Sequence, residues 1–156
     1  AHVCAYVKNL SNAENGCTEP EGKVDQTCGA PGAEEGELQD NIYVTIWRDE
    51  NCNNEIDGYC TGEEGCENYT NQMYCEEHQC QWVEDEVLVE DEPINENEGG
   101  WYLGVLPKDQ TKCLGLSWNI PSNVGNIIQS DSVSGEISFY VEQTRHNENF
   151  SCPTQP

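Results

Sequence analysis

Ten cysteines constrain this chain more than any other feature. They stand at Cys4, Cys17, Cys28, Cys52, Cys60, Cys66, Cys75, Cys80, Cys113 and Cys152 of 156 residues. In a reducing compartment so many thiols need a metal to justify them. The spacing argues against one. No C-x-x-C occurs, and the intervals 17–28, 52–60, 66–75 and 75–80 fit no zinc ribbon or knuckle. The even number therefore reads as a disulfide framework, and the setting as oxidising and extracellular. Three N-x-S/T sequons agree, and make Asn9, Asn68 and Asn149 candidate glycan acceptors. Apolar residues make up 35% of the chain, the cysteines included. That builds one modest core, which crosslinks worth roughly 2–4 kcal/mol each would supplement.

The charge excludes whole classes of partner. Thirty Asp and Glu oppose six Lys and Arg, for a net charge of −24. Nucleic-acid phosphates and anionic membrane surfaces would repel such a chain. No apolar run approaches the roughly 18–20 residues that span a bilayer, so membrane insertion is not expected. The opening AHVCAYVKNL has no charged segment followed by an apolar one. An export leader would already have been removed. Bound divalent cations or high external salt would relieve the self-repulsion.

Period-2 alternation dominates and helical stripes are missing. Residues 2–8 put Val3, Ala5 and Val7 on one face, and residues 42–48 do the same with Ile42, Val44 and Ile46. Segments 101–106 and 112–118 flank the turn-like Pro107-Lys108-Asp109-Gln110. Residues 137–143 alternate Ile137, Phe139 and Val141 against Ser138, Tyr140 and Glu142. These β-branched and aromatic runs predict an all-β, antiparallel, jelly-roll-like sandwich, one domain over 1–156. A disulfide-rich acidic insertion interrupts it at about 50–98, where Val87-Leu88-Val89 reads as an edge strand. The insertion holds five cysteines, so at least one must pair outside it, pair with another chain or stay free. In the acidic loop 11–40, a Cys17–Cys28 bridge would tie down the middle; the alternative pairs each with a distant cysteine.

Three stretches carry a resemblance: 4–29, 36–51 and 101–152, most specifically LSWNIPSNVGNIIQSDSV followed by FYVEQTRHN. Together they resemble the TasA/camelysin-type surface proteins exported with a SipW-type signal, above all their archaeal members. The resemblance leaves the cysteine-rich insertion unmatched. It implies a jelly roll outside the cell that polymerises into filaments or matrix fibres, typically by donating an N-terminal strand to the next subunit. Some relatives are described as metallopeptidases. One departure matters: in the family the segment AHVCAYVKNL lies well inside the domain, whereas here it opens the sequence, so the chain is trimmed, builds the sandwich differently, or takes its first strands from elsewhere. A sheet lacking a strand exposes backbone N–H and C=O groups, which strand addition from a neighbour satisfies.

For metal chemistry the best candidate is Asp49, Asn51, Asn53, Glu55 and Asp57. Oxygens at the first, third, fifth and ninth positions match the spacing of calcium loops. Asn54 stands where glycine usually makes the sharp turn, a position asparagine also tolerates. Cys60 replaces the bidentate Glu of an EF-hand, so the loop is closer to disulfide-pinned extracellular repeats. The plain alternative is a solvated acidic turn. The runs 84–86 and 90–92 read as solvated faces. His2, His78 and His146 are scattered, and neither H-E-x-x-H nor G-x-S-x-G is present. Trp47, Trp101 and Trp118 read as core or sheet-face residues and Trp82 as a cover over a disulfide. Arg48 and Arg145 read as partners of neighbouring acids.

The expectation is a non-enzymatic structural subunit of an extracellular filament, fibre or sheath. Identical subunits would join by β-strand pairing, stabilised by disulfides and Ca²⁺ and carrying glycans. The alternatives are a monomeric, calcium-stabilised module that binds glycans or a protein, and, third, a secreted metallopeptidase.

Overall fold

The computed structural model describes residues 1–29, 32–94 and 99–154. The chain is all-β, with strands β1 (His2–Glu14), β2 (Gly32–Ala33), β3 (Tyr43–Asp49), β4 (Gly58–Thr61), β5 (Gln81–Glu84), β6 (Glu86–Pro93), β7 (Trp101–Val105), β8 (Cys113–Asn119) and β9 (Ser132–Glu142). One short α-helix, α1 (Gln72–Glu77), interrupts them. Every alternating segment of the sequence forms its strand, and Val87-Leu88-Val89 lies in β6, an outer strand of the sheet ordered β6-β3-β8. The chain divides into two compact units.

The first unit comprises Ala1–Val44, Asp91–Val105 and Trp118–Pro156. Its axis is β1, which carries β9 along one edge and both β7 and β2 along the other, all antiparallel. The β1–β9 ladder runs from His2↔Glu142 to Ala13↔Ser132. Between Lys8 and Ser11, β1 advances three residues while β9 advances two. Asn9 takes the extra position with φ +50°, a left-handed conformation that asparagine tolerates better than most residues. This bulge lets β1 continue well past the segment 2–8 predicted from alternation. Cys4, Ala5 and Tyr6 are buried at 0–3% exposure, and Ile42, Val44 and Leu103 at 4–6%. Gly100, at φ +68°, passes so close to Tyr6 that a Cβ would strike its ring. Cys4–Cys152 joins the first strand to the C-terminal segment, and Cys17–Cys28 closes the acidic loop, one of its two expected pairings.

The second unit comprises Thr45–Glu90 and Leu106–Ser117. It contains most of the insertion, and disulfides take the place of aliphatic side chains in its core. Cys60–Cys75 and Cys66–Cys80 tie the β4–β5 pair to α1 and the turn before it. Cys60, Cys66 and Cys75 are buried, with Tyr69 and Trp82 packed on them. Six residues are too few to hold a helix alone. Asn71 caps α1 by accepting from Tyr74 N at 3.0 Å, and Cys75 anchors it. The odd cysteine of the insertion is Cys52, which pairs with Cys113. Trp47, 2% exposed, lies against Gly115, where any side chain would collide with the indole.

The Cys4–Cys152 bond spans 148 positions and the Cys66–Cys80 bond spans 14. Loop-closure entropy sets about 4–5 kcal/mol on the first and about 3 kcal/mol on the second. Double serine variants of each pair, unfolded in urea under oxidising conditions, are expected to lose stability in that order.

Candidate functional site

The two faces of the β1–β9 ladder are covered differently. Residues 2, 4 and 6 of β1 share one face with Glu142, Tyr140 and Ser138, their partners on β9. The C-terminal segment lies over it. Cys152 bonds Cys4, Tyr6 Oη donates to Pro153 O at 2.7 Å, and the Phe150 ring stacks on His2 at 4.5 Å and on Tyr140 at 6.5 Å. The other face carries Val3, Ala5 and Val7 beside Val141, Phe139 and Ile137. On β9 it is bare: Ile137 is 50% exposed, Phe139 58% and Val141 57%. Among the described residues β9 pairs with β1 alone, so its outer edge has no strand partner. The strand contains neither lysine nor proline, two of the usual means of blunting an edge.

The structure gathers Asp49, Asn51, Asn53, Glu55 and Asp57 into one loop of the second unit, held by its own hydrogen bonds. Asp49, 3% exposed, accepts from Asn53 N at 3.2 Å and from Asn54 N at 2.6 Å. Asn51 Oδ1 accepts from Asn53 N, and Asn53 Oδ1 from Glu55 N. The Nδ2 groups of Asn51 and Asn53 donate to the two oxygens of Asp57 at 3.0 and 3.1 Å. Glu55 contributes its carbonyl, which accepts from Trp47 Nε1. Asn54 has φ +62°, the left-handed turn its position suggested. Asp85 joins the loop by accepting from Glu50 N and Asp57 N, each at 3.3 Å. Burial pushes Asp57 up. The Gly58 N–H, the Asn53 and Asn51 amides and the Asp85 carboxyl outweigh it and hold Asp57 below its ordinary value. Burial, with the Asp57 charge, raises Asp85.

A second carboxylate group, in the first unit, escaped the sequence reading. Glu14 ends β1, Glu21 and Asp25 lie in the loop after it, Glu37 precedes a 3₁₀ turn, and Asp131 precedes β9. Glu14, Glu21 and Asp25 are 2%, 0% and 5% exposed. One oxygen from each of Glu14, Glu21 and Asp25 lies within 4.8 Å of the others, and the same holds for Glu14, Glu37 and Asp131. Each carboxylate has protein donors on one side: Gly16 N to Glu14, Thr18 N and Ser130 Oγ to Glu21, Thr27 N and Oγ1 to Asp25, Thr27 Oγ1 to Glu37, and the Glu37 and Leu38 N–H groups to Asp131. Burial raises Glu14, assisted by the Asp131, Glu21 and Asp25 charges. Burial and the Asp25 charge raise Glu37. Hydrogen bonds from the Thr27 hydroxyl and N–H lower Asp25. Among thirty acids nothing in the spacing singles out these five, which come from separated segments.

The remaining candidates divide. Asn9, Asn68 and Asn149 are all exposed, as glycan acceptors must be. His2 bonds Tyr102 Oη at 2.8 Å, and His78 stacks on Tyr69 at 4.3 Å while its Nδ1 contacts Tyr74 O. Both rings have structural work. Arg48 pairs with Glu86. Trp82 covers the disulfide cluster as expected. Trp118 does not pack into a core but is 64% exposed. All ten cysteines are in disulfides, so no thiolate is free to bind a metal or act as a nucleophile. Compared with protein-family models, with curated proteins and with solved structures, the chain matches none.

Replacing Asp49 by alanine strips Asn54 N of its acceptor, while Asn53 N keeps its bond to Asn51 Oδ1. We expect a loss of roughly 1–3 kcal/mol in guanidinium unfolding, the cost of one orphaned donor. Asp49→Asn, which keeps one acceptor, is expected to lose about half of that.

Proposed function

We propose that this chain is a structural subunit of an extracellular filament, fibre or sheath, in which identical subunits join by strand addition along β9. The observation that carries the reading is the coincidence, on one strand, of an unpaired edge and an exposed apolar face. An incoming strand satisfies the row of free N–H and C=O groups. Its alternate side chains extend the stripe of Ile137, Phe139 and Val141, each half or more exposed. Covering the remaining exposed half of the three is worth roughly 3–4 kcal/mol in all. Spread over a ladder of several residues, that is enough to favour a polymer when copies are concentrated.

The resemblance of segments 4–29, 36–51 and 101–152 to TasA/camelysin-type proteins supports the same reading, as does the jelly roll it implies. The disulfides are consistent with an oxidising environment, and among the described residues no helix is long and apolar enough to cross a membrane. The five disulfides are all within the chain, so in this reading no disulfide joins one subunit to the next. A non-reducing gel therefore gives a monomer band whether or not the protein polymerises, and the assembly must be read in its native state. The subunit has no enzymatic role in this reading. Glycans on Asn9, Asn68 or Asn149 would keep the outer surface soluble.

Negative-stain microscopy and sedimentation of the native protein test it. The wild type is expected to form extended assemblies, and the Ile137→Lys/Phe139→Lys variant is expected to remain a folded monomer with five disulfides. Discrete wild-type monomers at every concentration and ionic strength would refute the reading.

A further inference from the structure

We propose that Glu14, Glu21, Asp25, Glu37 and Asp131 form a calcium site inside the first unit, with Glu14 shared between two carboxylate triads. The observation that carries this is a bare oxygen on every one of the five. Glu14 Oε2, Glu21 Oε1, Asp25 Oδ2, Glu37 Oε2 and Asp131 Oδ1 are buried and have no hydrogen-bond partner. Three of the five side chains are at least nine-tenths buried. Buried polar atoms in folded proteins are nearly always paired, so five orphans in one place need an explanation. The opposite oxygens of these carboxylates are held by N–H and hydroxyl donors, which fix each group's orientation. Such outer-shell bonds are how proteins aim ligands at a metal.

Distance and charge point the same way. Two oxygens on opposite sides of a calcium ion, each at 2.3–2.6 Å, lie at most about 4.6–5.2 Å apart. The triads of Glu14, Glu21, Asp25 and of Glu14, Glu37, Asp131 fall within 4.8 Å. Among the described residues, no lysine, arginine or histidine forms an ion pair with any of the five. Buried charges of one sign need a compensating charge. The ligand set is all oxygen, because Cys17 and Cys28 beside Glu21 are joined as a disulfide. Hard oxygen donors in an irregular, carboxylate-rich cage suit calcium. Magnesium holds its waters and requires near-ideal octahedral geometry, and zinc takes nitrogen and sulfur.

The site joins the loop after β1 to one end of the β1–β9 ladder, where Glu14 closes β1 and Asp131 stands just before β9. Its five carboxylates are separate from the stripe of Ile137, Phe139 and Val141.

The test titrates Ca²⁺ into the oxidised full chain in chelator-treated buffer at pH 7, by calorimetry and by thermal unfolding. We expect binding with Kd on the order of 10⁻³ M or tighter, with an unfolding temperature that rises with the ion concentration. Mg²⁺ at equal concentration is expected to do less. Glu21→Gln and Glu37→Gln keep an oxygen for their donors, and each is expected to weaken Ca²⁺ binding about 10-fold or more, a typical loss on altering a metal site. Asp49→Asn is expected to bind as the wild type does. Absence of heat and of any thermal shift up to about 10 mM Ca²⁺, beyond the range of extracellular modules, overturns the proposal. So does loss of binding in Asp49→Asn with retention in Glu21→Gln, which would put the ion in the loop 49–57. Should the glutamine variants fail to fold, the wild type and Asp49→Asn still decide the matter.

Discussion

The antiparallel pairing of β1 with β9 is the constraint on which the first unit depends. It brings residues 2–13 against 132–142, across most of the chain, and a ladder of that contact order is slow and costly to close. Cys4–Cys152 offsets the cost by confining the unfolded chain, and Phe150, Tyr6 and His2 turn the bond into a packed face. The same pairing leaves the opposite face of β9 uncovered. Large apolar side chains are exposed elsewhere too, among them Val105 and Trp118. On β9 three of them share one face of an edge strand that carries neither lysine nor proline, and there we propose the interface.

Acidic residues create the second problem, and the two units meet it differently. In the loop 49–57 the carboxylates of Asp49 and Asp57 accept from N–H donors of the loop itself, the side-chain amides of Asn51 and Asn53 among them. Around Glu14 the donors reach only one side of each carboxylate. The first arrangement is complete within the chain. The second is not, which is why the cation is assigned there.

Much of the fold could be read from alternation. Segments 2–8, 42–48, 101–106, 112–118 and 137–143 are strands because β-branched and aromatic side chains fall two apart between turn-forming residues. Counting cysteines left one of the insertion's five to pair outside it, pair with another chain or stay free, and Cys52–Cys113 is the bridge outward. The elements of the insertion were not legible: β4 and β5 have four residues each, and α1 is held by a cap and disulfides instead of an apolar stripe. Alternation also identifies an apolar face without saying what covers it. Val3, Ala5 and Val7 read the same as Ile137, Phe139 and Val141, yet Ala5 is 1% exposed and Phe139 is 58%. The Glu14 group was hidden for a further reason. Its ligands converge only after β1, the loop following it and the start of β9 have folded, whereas the loop 49–57 announces its oxygens in consecutive sequence.

The central claim, that β9 is the seam between subunits, is tested most directly by hydrogen–deuterium exchange on native assemblies and on the same protein dispersed to monomers. Strand addition along β9 predicts that amides within 132–142 facing away from β1 exchange slowly in the assembly and quickly in the monomer. Equal exchange across β9 in the two states, with protection appearing elsewhere, would contradict the account.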